Sequence, residues 1–284
     1  MKIQHILSLP LAVIMAASCS GTKENPDAVA LLDSATAAYE SGQLEESFTL
    51  LDSLQKAFPE EITVQRRAMA LRPQVIESQA MRQIAAIDSM TAADNASMER
   101  LKPLMKWVKT PGMIEGYYTD AKTYNPSFMN GTGIEPRVSE IGQFYIVSSL
   151  NPAGGLHHVG VSVSGANASV ATPSVPYDGE SNYRIGSGEV ITFSPEQSDT
   201  IGKFVSDIMS ATPSAKASLS FIGEKGKNRT VSLSAAQMQA IANTYGYSNA
   251  IIRARDNQVE RQRLEKTIEI ARRQAAVAAT PREE

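Results

Sequence analysis

Few side chains in this sequence could do chemistry, and their spacing argues against most of what they could do. There is one cysteine, Cys19, so no disulfide framework and no cysteine-based zinc site can form. His157 and His158 are adjacent. Neighbours on a strand point to opposite faces, so the two cannot clamp one ion. The expectation is that His157 shares a face with Val159, Val161 and Val163 as a core or rim residue, and that His158 is solvated. GVSVSG (160–165) misses the Gly-x-Ser-x-Gly spacing of a nucleophile elbow and lacks its strand-to-helix setting. GEKGKNRT (223–230) has its glycines at the wrong distance for a phosphate loop and reads as a hairpin turn. Carboxylates are scattered without an evident acid–base pair. The sequence thus names no catalytic residue, no metal ligand and no cofactor. Its aromatic run YYTDAKTYNPSF offers a candidate ligand edge at Tyr117, Tyr118, Tyr124 and Phe128, with core packing as the competing use of those rings.

The first residues give an address. Lys2 is followed by an apolar run from Ile3 to Met15, then by small residues Ala16, Ala17 and Ser18 before Cys19. That is the order of an export signal, and its apolar run is shorter than the ~20 residues a spanning helix takes. Ala-Ala-Ser-Cys resembles the lipobox of bacterial lipoproteins, with Ala16 where leucine is usual. The resemblance implies a signal peptide over 1–18, cleavage before Cys19, and acylation of that thiol, for example by palmitate. The chain would then be held to the membrane by its lipid. Residues 19–27 are read as a tether.

Composition is that of a globular protein with a real core: 42% hydrophobic, 20% charged, net charge −3. Nothing in that balance points to nucleic acid. Charge is unevenly placed. Residues 24–61 hold nine acids against Lys56 alone, and residues 253–273 hold seven bases against four acids. Two solvated helix faces account for this, and so would a meeting of the two ends.

Residues 28–59 carry apolar residues at helical spacing, broken at Ser41-Gly42. The segment resembles one tetratricopeptide-type repeat: Ala35 at the small position of the first helix, Gly42 at the turn, Ser47 where alanine is usual, Leu51 and Leu54 at packing positions, Pro59 at the end. A single hairpin cannot bury its face alone. A long helix over 60–93, which Pro73 should kink or interrupt, completes a helical arm spanning 28–108. At the far end, 248–279 reads as a C-terminal helix with Leu264, Ile268, Ala271 and Ala275 on one side, followed by a tail at 280–284. The two long helices are expected side by side and antiparallel, like a coiled coil, with the second covering the lone hairpin.

Between them, 109–247 is a β-rich module. Strands are expected at 113–119, 138–149, 156–165, 168–172, 182–185, 189–193, 217–222 and 229–233. Ser194-Pro195-Glu196-Gln197 and Ser234-Ala235-Ala236-Gln237 are helix-start signatures for helices over 195–210 and 235–245, the second stopping at Gly246. The fold class is therefore α+β: a helical hairpin and long helix, then an antiparallel sheet or open β-sandwich with two short helices, then a long C-terminal helix packing back on the arm.

The whole is similar to envelope lipoproteins of Bacteroidota, which implies the cell envelope, most often the outer membrane. Asp-Ser/Thr-apolar triplets resemble the O-glycosylation motif of exported Bacteroidota proteins. They mark Ser34, Ser53, Ser89 and Thr200 as candidate attachment sites, although Leu-Asp-Ser-Leu also simply suits an amphipathic helix. The leading functional expectation is a non-enzymatic, lipid-anchored protein that binds or scaffolds a protein partner. The alternatives are a surface module for glycan or peptide, and an enzyme whose site only folding would assemble.

Overall fold

A computed structural model describes residues 24–279. The expected signal peptide, Cys19 and the tail at 280–284 lie outside them. The described chain divides into two compact units. One holds residues 24–80 and 267–279, the other 81–266. Two long helices, α3 (Ile62–Leu101) and α5 (Ala235–Ala279), have residues in both.

In the first unit, α1 (Pro26–Glu40) and α2 (Leu44–Ala57) form the expected hairpin. Asn25 caps α1, its side chain accepting from the Asp27 amide, and Pro26 begins it, where a missing N–H costs nothing. The chain reverses at Gly42, whose φ of 78° suits glycine. Leu32, Ala35, Leu44, Leu51 and Leu54 are buried with Val64, Ala68, Leu71 and Val75 of α3, so α3 closes the face the lone hairpin leaves open. Ser47 is fully buried and donates to the Ala35 carbonyl at 2.8 Å, so the hydroxyl that replaces alanine in the repeat pattern is satisfied. The last turns of α5 belong to this unit. Ile268 and Ala271 are buried, and Arg272 pairs with Glu77 at 2.8 Å. The C-terminal helix does return to the N-terminal arm.

Two helical bounds need correcting. α3 is one helix that Pro73 does not interrupt, and it runs past 93 to Leu101. α5 does not stop at Gly246 but continues for 45 residues. A glycine costs a helix interior only ~1 kcal/mol, and burial outweighs that here: Tyr247 and Ala250 beyond it are both buried.

The second unit holds ten strands in two antiparallel sheets. The six-stranded sheet runs in the order β1 (Met105–Val108), β2 (Tyr117–Asp120), β3 (Gly133–Ser139), β4 (Phe144–Leu150), β8 (Gly188–Thr192), β7 (Asn182–Ile185). The four-stranded sheet runs β10 (Asn228–Leu233), β9 (Ala217–Gly223), β5 (His158–Gly165), β6 (Ala168–Ala171). The single strand expected over 138–149 is a hairpin instead. It turns at Gly142, which takes φ 88°. β1 lies inside the stretch read as helical arm. The β9–β10 hairpin forms around GEKGKN as expected.

Helix α4 (Pro195–Ala211) starts with the expected reciprocal cap between Ser194 and Gln197, and α5 starts with the same device at Ser234 and Gln237. One core gathers Phe144, Ile146 and Ile191 of the larger sheet, Val161, Leu219 and Phe221 of the smaller, Ile201 and Val205 of α4, and Met238 and Ile241 of α5. Burying a large apolar side chain contributes roughly 1.5–3 kcal/mol, so this cluster dominates the unit's stability. Asp94 of α3 is buried and takes two hydrogen bonds from Arg253 of α5, at 2.9 and 2.7 Å, while Asp88 meets Arg261 at 2.9 Å. The two helices therefore run antiparallel within this unit.

Candidate interaction site

Three side-chain groupings in the second unit are candidates for function. The first centres on His158. Its Nε2 lies 3.0 Å from Ser148 Oγ, and its Nδ1 lies 3.0 Å from Glu189 Oε2. Ser148 and Glu189 stand on β4 and β8 of the larger sheet, and His158 opens β5 of the smaller. Glu189 also accepts from the backbone amides of His157 and His158, at 3.0 and 2.8 Å. Burial pushes the His158 imidazole below its ordinary pKa, against the opposing pull of Glu189. Burial also pulls Glu189 up, but the hydrogen bonds from His158 and His157 together hold its carboxyl below the usual range. The ring is therefore neutral, Nδ1–H donates to the carboxylate, and Nε2 accepts from the serine hydroxyl.

This is the hydrogen-bond order of a nucleophile relay. Its setting is not that of a nucleophile. Ser148 and the imidazole are both sealed from solvent, and the ring stands edge-on to Phe221 with centroids 5.4 Å apart. No substrate carbonyl can approach Oγ, and the trio acts as a polar tie between the sheets.

The expectation fails for His158, which is buried; His157 is half-buried at the rim, with φ 51° and Arg184 Nη2 at 2.7 Å from its Nδ1. The reason is a bulge: the register with β9 shifts between His158 and Gly160, so simple alternation fails at the strand's start. The first histidine stays at the rim and the second turns in.

The second grouping lies on the face of the larger sheet opposite the core. Arg137 pairs with Glu135 at 2.6 Å and sits 4.0 Å from the Tyr117 ring centroid. Both partners of the pair are largely buried. Burial raises the Tyr117 hydroxyl to about 12, with Glu135 adding to the shift and Arg137 opposing it, and burial likewise raises Tyr145. Tyr124 packs against the Lys106 ammonium, 4.8 Å from its ring. Of the candidate ligand edge, Tyr117 and Tyr124 belong to this side of the sheet. Tyr118 faces the other way, between Trp107 and Tyr247, and Phe128 starts a short 3-10 turn over 128–130.

The third grouping is exposed. β1 is the end strand of the larger sheet and pairs only with β2, Trp107 opposite Tyr118. Trp107 is the only tryptophan in the chain and is 42% exposed; its ring packs on Tyr118 with centroids 4.7 Å apart. It lies over Gly116, where a side-chain carbon would come within 2.3 Å of the indole. Glu140, in the β3–β4 turn, accepts from the Gly116 amide at 2.9 Å and meets Lys109 at 3.5 Å. The Gly116 bond, with Lys109 adding, holds its carboxyl below the usual range. Glu140 so joins the loop after β1 to the β3–β4 turn. Each carries an exposed isoleucine, Ile114 at 93% and Ile141 at 61%. At the other end of β1, Leu104 and Lys122 line an open concavity of about 360 Å³ with Asp120, Gln239 and Asn243. Large apolar side chains exposed together in this way mark interaction surfaces.

Sequence reading missed Trp107 because it placed 28–108 in a helical arm, and missed Ile114 and Ile141 because it placed them inside strands at 113–119 and 138–149, where the structure has a loop and a turn. The signal it passed over was KWVKT, a tryptophan alternating with lysines and ending in β-formers. The four candidate glycosylation hydroxyls, Ser34, Ser53, Ser89 and Thr200, all lie exposed on helices α1 to α4. Among the described residues no group of three or more metal-ligating side chains could hold an ion, and no helix is long and apolar enough to cross a membrane. No protein-family model, curated protein or solved structure matches the chain.

Proposed function

We propose that the chain is a non-enzymatic, lipid-anchored envelope protein whose α+β head binds a protein partner through the surface around β1. The observation that carries this reading is the exposed set Trp107, Ile114 and Ile141, brought to one end of the larger sheet by Glu140. Tryptophan and bulky aliphatics in a charged rim are the composition of binding hot spots. The lipid on Cys19 supplies the membrane attachment, with the outer membrane as the site. Ser34, Ser53, Ser89 and Thr200 are accessible enough to carry O-glycans.

The test compares cells expressing the wild-type chain with cells expressing a Trp107→Ser, Ile114→Ser, Ile141→Ser triple variant. After crosslinking, quantitative mass spectrometry of the purified protein should recover a specific partner that the triple variant loses while its thermal stability is retained. Equal recovery with both forms would refute the reading. A second reading, a glycan or peptide module, rests on the Arg137–Glu135 pair and its ring of tyrosines. Retention of glycans on an array, lost on Tyr145→Ala, would favour it.

A further inference from the structure

The exposed groups beside β1 lie along a strand edge, and the edge itself has chemistry. In an antiparallel ladder each strand's backbone groups point alternately to its two sides. β1 bonds only to β2, so its other side is available to a further strand. Lysines frame it: Lys102 and Lys109 flank the strand, Lys106 lies within it and Lys122 sits by the concavity at its start, all four exposed. The side chains alternate. Met105 and Trp107 point to one face and Lys106 and Val108 to the other, so an added strand would present apolar residues beside Trp107 and residues of chosen charge beside Lys106.

We infer that β1 is a docking strand for an extended segment of a partner protein with alternating acidic and apolar residues, which joins the larger sheet as a seventh strand. This rests on the partner-binding reading and narrows it. Backbone pairing supplies the register. The apolar side chains pack on Trp107, with Ile114 and Ile141 beyond the strand's end and Leu104 at its start. The carboxylates meet Lys106 and Lys102, while Lys109 already meets Glu140. A second copy of this chain does not fit the edge, because pairing along β1 would set Lys102, Lys106 and Lys109 of one copy against those of the other. Edge lysines of this kind prevent indiscriminate strand pairing, and the same charges select an acidic partner over a neutral one.

The experiment uses the full processed protein in detergent and fluorescein-labelled peptides. The probes are Glu-Val-Glu-Val-Glu-Val, its lysine counterpart, and the acidic peptide N-methylated at alternate amides. Anisotropy and the emission of the single tryptophan, Trp107, read binding. The acidic peptide should bind and shift the Trp107 emission, the lysine peptide should not, and N-methylation should abolish binding. Lys106→Glu should weaken binding about tenfold or more, as reversal of a charge at a steered contact does. Hydrogen exchange should slow at the β1 amides on peptide addition. Absence of acidic-peptide binding, binding indifferent to N-methylation, or equal binding of polygalacturonate would overturn the inference. If the peptide fails while the triple variant still loses a crosslinked partner in cells, strand pairing falls and partner binding stands. If both fail, both readings fall.

Discussion

Replacing Glu189 by alanine tests the inter-sheet tie most severely. The carboxylate receives three hydrogen bonds, from the His157 amide, the His158 amide and the His158 ring, and it is 4% exposed. Its loss leaves the buried amide and ring N–H of His158 without an acceptor, in a place water does not reach. Unsatisfied buried donors cost about 1–3 kcal/mol each, and Glu189→Ala leaves two of them. We expect about 2–6 kcal/mol of destabilisation, which for a domain of this class lowers Tm by roughly 4–24 °C at about 2–4 °C per kcal/mol. Ser148→Ala removes one donor to a neutral ring and should cost only about 1–2 kcal/mol.

The same tie sets a pH dependence. Folding holds His158 neutral below its ordinary pKa of 6.5 and Glu189 ionised below its ordinary 4.5. The unfolded chain therefore takes up these protons first as pH falls. The contribution of His158 is complete above pH 6.5 and is lost as pH falls from there through its folded pKa. That of Glu189 is complete above 4.5 and is lost as pH falls through its own folded pKa. The assay is thermal unfolding by circular dichroism at pH 7.5, 6.5, 5.5 and 4.5, on wild type, Glu189→Ala and His158→Gln. Wild-type Tm should decline below pH 6.5, and His158→Gln should flatten the decline between 6.5 and 5.5. A Glu189→Ala variant within about 1 kcal/mol of wild type would refute the reasoning, because surface substitutions alone stay near that size.

Further predictions concern the arm, the helix pair and the anchor. Ser47→Ala restores the usual residue of the repeat and removes only one bond, to a carbonyl already inside a helix, so stability should fall by no more than about 1 kcal/mol in chemical denaturation. Asp94→Ala removes a buried acceptor of two Arg253 bonds and should cost about 1–3 kcal/mol, whereas Asp88→Ala, at an exposed pair with Arg261, should cost under about 1 kcal/mol by the same measurement. Labelled palmitate should enter the wild-type chain and not the Cys19→Ala variant.

The parts of this fold that could be read in advance are those where a local signal and burial agree. The hairpin at Gly42, the caps at Ser194 and Ser234, the β9–β10 turn and the apolar stripe at Leu264, Ile268 and Ala271 all carry side chains that fix their own backbone or face. Three features escaped because tertiary packing overrides a local rule. Gly246 reads as a helix stop, but the surrounding burial carries α5 through it, and Pro73 does not interrupt α3. The bulge at His158–Gly160 depends on β9, a strand far along the chain that no local window includes, and it turns His158 inward. The Ser148–His158–Glu189 tie joins three strands distant in sequence, and nothing in the spacing of those residues announces it. The Arg137–Glu135 pair was hidden for a different reason. A charged pair two residues apart on a strand reads as solvated, and only the covering of that face makes it buried.

The central claim is that the surface around β1 meets a protein partner, and site-specific photocrosslinking in living cells tests it most directly. A benzophenone side chain placed at Ile114 or Ile141 should yield a discrete adduct to one protein, while the same group at exposed Glu180, outside this surface, should not. Discrete adducts from Glu180 with none from Ile114 or Ile141 would contradict the account.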